Sequence, residues 1–384
     1  MSGEVPSGWS VKRVGEIAVV NMGQSPPSAV VNDEGNGLPF IQGNAEFGAR
    51  YPTPRQFASD CPKVAQAGDI LLSVRAPVGE VNVAPERICI GRGLAGLRPT
   101  DGDHDFLYYA LAGLAPVFAR LSQGSTFDAI NVRDLRSISL LVPHRDEQRR
   151  IAEVLRSVDQ VIAANRAALH QTVRARAATL HTAFEETDWE PVKLGGLGRW
   201  QSGGTPSKAN PSLWDGNVPW VCPRDMKSPV VRRTESSVSS RAIGGACKIA
   251  PTGSLLIVVR GMILAKAIPT ATIAMDATFN QDVKAFQPNG RVLPKFVQLC
   301  LQHQEQALLN SVNTATHGTK KLDADTIANV DVPLPDLATQ RELTDAVTDM
   351  DLAMALYGEE HIRLMTLKNA LMSDLLSGRV RVPA

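Results

Sequence analysis

Mostly hydrophobic positions recur along two stretches of the chain with alternating steps of four and three. In residues 145–184 the series is Ile151, Leu155, Val158, Ile162, Asn165, Leu169, Thr172 and Arg176. In residues 337–377 it is Leu343, Val347, Met350, Met354, Tyr357, His361, Leu364, Lys368, Leu371 and Leu375. Such steps put one stripe on one face of a helix, the heptad seam of a coiled coil. The first stretch holds no Gly or Pro, in a chain with 30 Gly and 25 Pro, and the second is interrupted only by Gly358. At a rise of roughly 1.5 Å per residue each predicts a helix about 60 Å long. That exceeds the core of an ordinary domain, so each reads as a spacer whose stripe needs a partner stripe. The two stretches match at a shift of 192, which makes each copy the other's expected partner. Their start signals match as well: Pro143 with Glu147-Gln148-Arg149, and Pro335 with Thr339-Gln340-Arg341. Both stripes carry a base at the same place, Arg176 and Lys368.

Outside these helices the pattern changes to short apolar runs bounded by Gly and Pro, which predict β-strands. They too are duplicated. At a shift of 180, Trp9 meets Trp189, Gly15 meets Gly195, Gly23 meets Gly203, Pro26 meets Pro206 and Pro39 meets Pro219. Further on, Ala67–Arg75 is echoed by Thr252–Arg260, each a turn feeding a buried strand with an Arg at its far end. Ile88-Cys89-Ile90 before Gly91-Arg92 matches Ala277-Thr278-Phe279 before Asn280-Gln281. Helices are expected over 106–121 and 296–309, and Gly124-Ser125-Thr126 matches Gly318-Thr319-Lys320. A last strand, 138–142 or 330–334, leads into each long helix. The expected order is a globular part (1–144), a helix (145–185), a second globular part (186–335) and a second helix (336–384). Each globular part is α/β or α+β, with its sheet topology left open.

A length of 384 residues allows two or three domains with cores of their own. The hydrophobic content of 43% and charged content of 21% are those of a soluble globular chain. No run of 18 apolar residues occurs, and the N-terminal MSGEVPSGWS has neither basic nor apolar signal regions, so a cytosolic protein is expected. The five cysteines are odd in number and scattered without CxxC, which suggests neither a disulfide framework nor a zinc site. A net charge of +1 gives no global sign of a polyanionic partner.

Tests for catalytic machinery return little. Gly91-Arg92-Gly93-Leu94-Ala95-Gly96 spells GxGxxG, but a dinucleotide site needs that turn to open a helix, and Pro99 follows three residues later. No GxxxxGK[ST] loop, no Asn-Pro-Pro-aromatic signature of an amino-methyltransferase and no HExxH is present. No Gly-x-Ser-x-Gly elbow surrounds the Ser-Gly and Gly-Ser-Thr sequences, which read as backbone turns or phosphate-contacting loops. Basic residues, by contrast, gather in corresponding loops. Arg224, Lys227, Arg232, Arg233, Arg241 and Lys248 fall close together with only Asp225 and Glu235 against them, and Lys320-Lys321 form a further pair. The first part offers Arg50, Arg55, Lys63, Arg75 and Arg92. Lys and Arg neutralise phosphate; Arg, Lys, Asn and Gln read base edges, a role that suits Asn280, Gln281, Gln42 and Asn44. Two similar readers held apart by paired rods suit a target of two half-sites, since major-groove faces of B-DNA recur every ~34–36 Å.

Taken in order, these features resemble the specificity (S) subunit of type I restriction–modification enzymes over the whole chain. The resemblance rests on Gly23-Gln24-Ser25-Pro26 and Gly203-Gly204-Thr205-Pro206, on the strands ending in Arg75 and Arg260, on Pro143 with Glu147-Gln148, and on the terminal Leu375-Leu376-Ser377-Gly378-Arg379-Val380. It implies two α/β (α+β) target-recognition domains related by a pseudo-two-fold repeat and joined by two long helices in an antiparallel coiled coil. Each domain would read one half of a bipartite site in double-stranded DNA. The helices would set the spacer and dock two modification subunits, which methylate adenine with S-adenosylmethionine; restriction subunits using ATP and Mg would join them. The chain itself would then be non-catalytic and hold no cofactor or metal.

The candidate DNA contacts are Arg75, Arg92, Arg224, Lys227, Arg232, Arg233, Arg260, Asn280, Gln281, Lys320 and Lys321. For Arg75 and Arg260 a structural ion pair at the strand end is an equal alternative. The first part departs from the second at Gln24-Ser25 against Gly204-Thr205, at Gly91-Arg92-Gly93 against Asn280-Gln281-Asp282, and at Phe127-Asp128 against Lys320-Lys321. These differences imply unlike half-sites and an asymmetric target. Two other readings stand beside this one: the same architecture in a defence assembly whose partner does not methylate, and a coiled-coil scaffold with protein-binding heads.

Overall fold

The computed structural model describes residues 5–115, 118, 129–245, 247–314 and 318–382. The chain divides into two compact units: Met1–Ala167 with Glu359–Ala384, and Ala168–Gly358. Each unit combines one globular part with a portion of both long helices.

In unit 1 the strands are β1 (Ala18–Met22), β2 (Leu38–Ile41), β3 (Ile70–Ser73), β4 (Val81–Val83), β5 (Ile88–Ile90) and β6 (Leu94–Pro99). One sheet has the order β1-β6-β3-β4, all antiparallel. In the other, β2 and β5 run parallel, with Phe40 opposite Cys89 and Ile41 opposite Ile90. Ile70, Leu71 and Leu72 lie fully buried, as a strand covered on both faces requires. Helix α1 (His104–Ala112) starts where the Asp103 side chain accepts a hydrogen bond from the Phe106 N–H at 2.9 Å, and it buries Phe106, Tyr109 and Leu111. Helix α2 (Arg145–Glu185) follows Pro143.

Unit 2 repeats the plan with β7 (Gly198–Ser202), β8 (Val218–Val221), β9 (Val230–Val231), β10 (Leu255–Val258), β11 (Thr270–Ile273), β12 (Ala277–Phe279) and β13 (Val283–Pro288). Its first sheet is ordered β7-β13-β10-β11-β9, one edge strand more than its counterpart. In its second sheet β8 runs parallel to β12, with Val221 opposite Phe279. Helix α3 (Pro294–His303) corresponds to α1, and α4 (Leu337–Leu376) to α2.

One side chain fixes each long helix at its start. Gln148 donates to the Pro143 carbonyl at 2.9 Å and accepts from the Asp103 N–H, ahead of α1, at 2.8 Å. Gln340 does the same with the Pro335 carbonyl (2.9 Å) and the Leu293 N–H ahead of α3 (2.8 Å). Along the seam, α2 and α4 run antiparallel within each unit. Ile151, Leu155, Leu375, Leu364 and Val347 are buried. Val158, Ile162, Leu169, Leu343, Met350, Met354, Tyr357 and Leu371 are half-buried, and no stripe position is exposed. In unit 1, Ile151 and Leu155 share a core with Met372 and Leu375. In unit 2, Leu180 and Val347 pack with Leu299 of α3.

Three details differ from the sequence expectation. Helix α1 ends at Ala112, and the remainder of the expected 106–121 helix falls mostly outside the described residues, as does Gly124-Ser125-Thr126. The expected 296–309 helix is two helices meeting at Gln304. Cys61 and Cys89 form a disulfide with Cα atoms 5.7 Å apart; a separation of 28 residues gave no hint of it, because only the antiparallel pairing of Val64-Ala65 with Ile88-Cys89 of β5 brings the two segments together. Gly91–Gly96 opens strand β6, not a helix. Among the described residues, no helix is long and apolar enough to cross a membrane.

Candidate nucleic-acid interface

The same end of the sheets is built in the same way in both units. In unit 2, β12 delivers Asn280-Gln281-Asp282, and the Asp282 carbonyl accepts the Val259 N–H (2.8 Å) just before Arg260. Gly203 lies so close that a Cβ there would meet the Phe279 and Asn280 carbonyl oxygens at 2.3 Å. Only glycine permits this approach, and it brings the Thr205 hydroxyl within hydrogen-bonding reach of Gln281 Oε1. In unit 1 the Gly93 carbonyl accepts the Val74 N–H (2.9 Å) just before Arg75. Gly23 would meet the Gly91 carbonyl at 2.1 Å if it carried a Cβ, and the Ser25 hydroxyl accepts the Arg92 N–H at 3.3 Å. Ser25 also donates to Gln42 at 2.9 Å.

Arg75 and Arg260 share a further feature: each is joined by an isolated β-bridge, Arg75 to Ala129 and Arg260 to Lys321. The backbone therefore anchors each position while the side chain stays exposed, and neither guanidinium forms an ion pair among the described residues. Lys320-Lys321 pair with Asn313-Thr314 in a short hairpin beside Arg260, and the Gly261 N–H donates to the Lys320 carbonyl at 3.0 Å. The ammonium of Lys321 lies 2.6 Å from Asp323, whose carboxyl it holds below the usual carboxylate range, whereas Lys320 meets the neutral Thr314 hydroxyl at 2.9 Å.

A second basic group follows β8. Asp225 accepts the Cys222 N–H at 2.8 Å and the Cys222 thiol at 3.1 Å, folding the turn that presents Arg224. Burial, then this carboxylate, push the Cys222 thiol up, so it remains a protonated donor. Arg224, Lys227, Arg232 and Arg233 line one open cavity of about 600 Å³ together with Glu235, which lies 3.4 Å from Arg224. Arg260, Lys320 and Lys321 do not line it.

The structure thus gathers Arg260, Gln281, Lys320 and Lys321 at one rim, sets Arg224, Lys227, Arg232 and Arg233 around a separate cavity, and leaves Arg75 and Arg92 as the rim of unit 1. Asn280 behaves differently. It is buried, its amide donates to Asp282 (2.9 Å), and its carbonyl oxygen accepts the Asp282 N–H (3.1 Å), so it shapes the turn. The hydroxyls of Ser25 and Thr205 were not singled out by residue type alone; their equivalent places after Gly23 and Gly203 were the available signal. Among the described residues there is no group of three or more His, Cys, Asp or Glu able to hold a metal ion.

Two copies of this architecture, each with a basic rim, make this a duplicated chain. Residues 6–174 and 186–364 both match the type I restriction modification DNA specificity domain, and the chain belongs to that family. A Methanocaldococcus jannaschii protein provisionally named the type I restriction enzyme MjaX specificity subunit is 43% identical over 178 residues, 45% of this chain and 42% of that relative. The type I restriction enzyme EcoR124I/EcoR124II specificity subunit of Escherichia coli is 30% identical over 171 residues, 44% of this chain and 42% of that relative. These matches span less than half the length of the curated relatives. The crystal structure of a type I restriction–modification S subunit from M. genitalium has the same fold, with a TM-score of 0.64 at 16% identity over 98% of both chains.

Proposed function

We propose that the chain is the non-catalytic, sequence-specific DNA-binding subunit of a type I restriction–modification complex. Each recognition part reads one half of a bipartite, asymmetric site. The observation that carries this reading is the rim built twice from equivalent backbone, Gly23/Gly203 and Arg75/Arg260, but furnished differently, with Arg92 in one unit and Gln281, Lys320 and Lys321 in the other. A shared frame with unlike side chains suits two readers of unlike half-sites. Arg224, Lys227, Arg232 and Arg233 contact the flanking phosphates. Asn280 acts indirectly by holding Gln281 outward.

In this reading the paired helices set the spacer and dock two modification subunits, which bring S-adenosylmethionine; restriction subunits bring the ATP- and Mg-dependent activities. The complex is cytoplasmic. The test is to map methylated adenines in the source genome with and without this gene. A bipartite motif with a fixed gap that disappears on deletion is the expected result. An unchanged methylome would move the weight to a partner that does not methylate. Loss of salt-sensitive DNA affinity altogether would favour a scaffold with protein-binding heads.

A further inference from the structure

The seams of the two units contain a pair that apolar packing does not need. In unit 1, Lys368 Nζ on α4 lies 2.6 Å from Asp159 on α2. In unit 2, Arg176 Nε on α2 lies 2.6 Å from Asp351 on α4. The repeat shift of 192 carries Asp159 to Asp351 and Arg176 to Lys368, so one pair has been built twice with its polarity reversed. The four side chains are between 22% and 32% exposed, which separates them from freely solvated surface pairs. A third group from the globular part holds each: the Tyr109 hydroxyl donates to Asp159 at 2.7 Å, and Arg176 donates to Gln302 at 3.4 Å.

Both pairs obey a single antiparallel register, because the step from Asp159 to Arg176 along α2 equals the step from Asp351 to Lys368 along α4. An apolar stripe repeating every seven residues does not fix that register by itself, since displacement by one heptad again sets apolar on apolar. The charges do. Displaced one way, Asp159 would face His361, Arg176 would face Thr344, Lys368 Ala152 and Asp351 Leu169. Displaced the other way, the same four would face Leu375, Gly358, Arg166 and Ala183. In neither displacement does a carboxylate meet an Arg or Lys, and sheltered charges would lose their partners.

From this we infer that Asp159–Lys368 and Arg176–Asp351 are register pins: positioning residues that select one heptad alignment of α2 against α4 and thereby fix the gap the protein accepts between half-sites. The inference rests on the DNA-reading role proposed above. One heptad is about 10 Å of helix, on the scale of three base-pair steps.

The test uses the full-length chain with all four residues changed to Leu, which keeps the seam packed, alongside the single-pair variant D159L/K368L in case the fourfold variant fails to fold. Register is read by cross-linking Ile162→Cys with Met365→Cys, two positions that line one cavity in unit 1, against Ile162→Cys with Met372→Cys, one heptad off. The unsubstituted pins should give only the first cross-link. The Leu variants should give both at comparable yield without a lower melting temperature, and the reversed pair D159K/K368D should restore the first alone. On DNA carrying the mapped motif, preference for the native gap over gaps changed by three base pairs should fall at least 10-fold in the Leu variants. A single native cross-link in folded Leu variants overturns the inference, as does a displaced register with unchanged gap preference. Failure of the unsubstituted chain to bind DNA would instead count against the proposed function, and the cross-links would still decide the pins.

Discussion

The second residue of α1 is Asp105 and the second residue of α3 is Lys295, so the two units carry opposite charges at this place. In unit 1, Asp105 is buried and takes Arg50 from the globular part and Arg156 from α2, with His104 Nδ1 at 2.9 Å; Arg50 also lies 4.8 Å from the ring centre of Tyr108. In unit 2, Lys295 is half-buried, and burial lowers its amine while nearby Asp351 works against that shift. One turn on, Tyr109 donates to Asp159, whereas its counterpart Leu299 is wholly buried against Leu180 and Val347. The joint of unit 1 is therefore built around a buried carboxylate and borders a cavity of about 890 Å³, while that of unit 2 is centred on the apolar Leu299 contact, with polar contacts to α2 from Gln302 and His303 farther along α3. Opposite chemistry fits the same frame because the start of each long helix is fixed elsewhere, by Gln148 and Gln340. The duplicated chain has kept the ties that place its elements and varied what fills the joints.

Substitutions can break this contrast. Leu299→Ala should have the largest effect, since it empties a fully buried leucine site: about 3 kcal/mol lost from unit 2 in urea unfolding, with unit 1 unaffected. Glu147→Ala should come next. This carboxylate takes the Trp9 indole N–H at 3.1 Å and the Arg381 guanidinium at 2.7 Å, and its loss should cost unit 1 about 2 kcal/mol. Arg381, first among several causes, holds the Glu147 carboxyl below the usual carboxylate range. Its contribution is therefore complete above the unfolded value of ~4.3 and lost as pH falls through the lower folded value, so unsubstituted chain and variant should converge in acid. Tyr109→Phe should cost unit 1 about 1.5 kcal/mol by removing one hydrogen bond to a charged group while leaving the ring in place.

The smallest effect sharpens the comparison at the rim. Lys320→Ala should reduce the slope of log affinity against log salt by about 0.9, the value for one phosphate contact on duplex DNA. Lys321→Ala should change it less, because that ammonium already faces Asp323. Equal slopes for the two variants would mean that Asp323 releases Lys321 on binding.

Much of this architecture is legible in the sequence because it depends on periodicity. Heptads show in α2 and α4 whatever surrounds them, and the shift of 192 exposes their pairing. The rim is half-legible. Arg75 and Arg260 stand at the ends of recognisable strands, but the inward turn of Asn280 depends on Asp282 two residues on, and a residue type that can read a base can equally fold a turn. The Cys61–Cys89 pairing and the Asp105–Arg156 contact were not legible, since both join segments that only the tertiary fold brings together. Sheet order was beyond reach for the same reason: β6 sits between β1 and β3, and strand propensity does not encode neighbours.

The discontinuity of unit 1 has a consequence for synthesis. Unit 2 is one continuous stretch, whereas unit 1 needs Glu359–Ala384 to cover Ile151 and Leu155 and to bring Arg381 to Glu147. At translation rates of roughly 5–20 residues per second, the first 167 residues wait on the order of 10–40 s for that last segment to emerge. During that interval the apolar face of α2 in unit 1 lacks its partner, and unit 2 can finish first. On the ribosome, unit 1 begins to emerge before unit 2 and is completed after it.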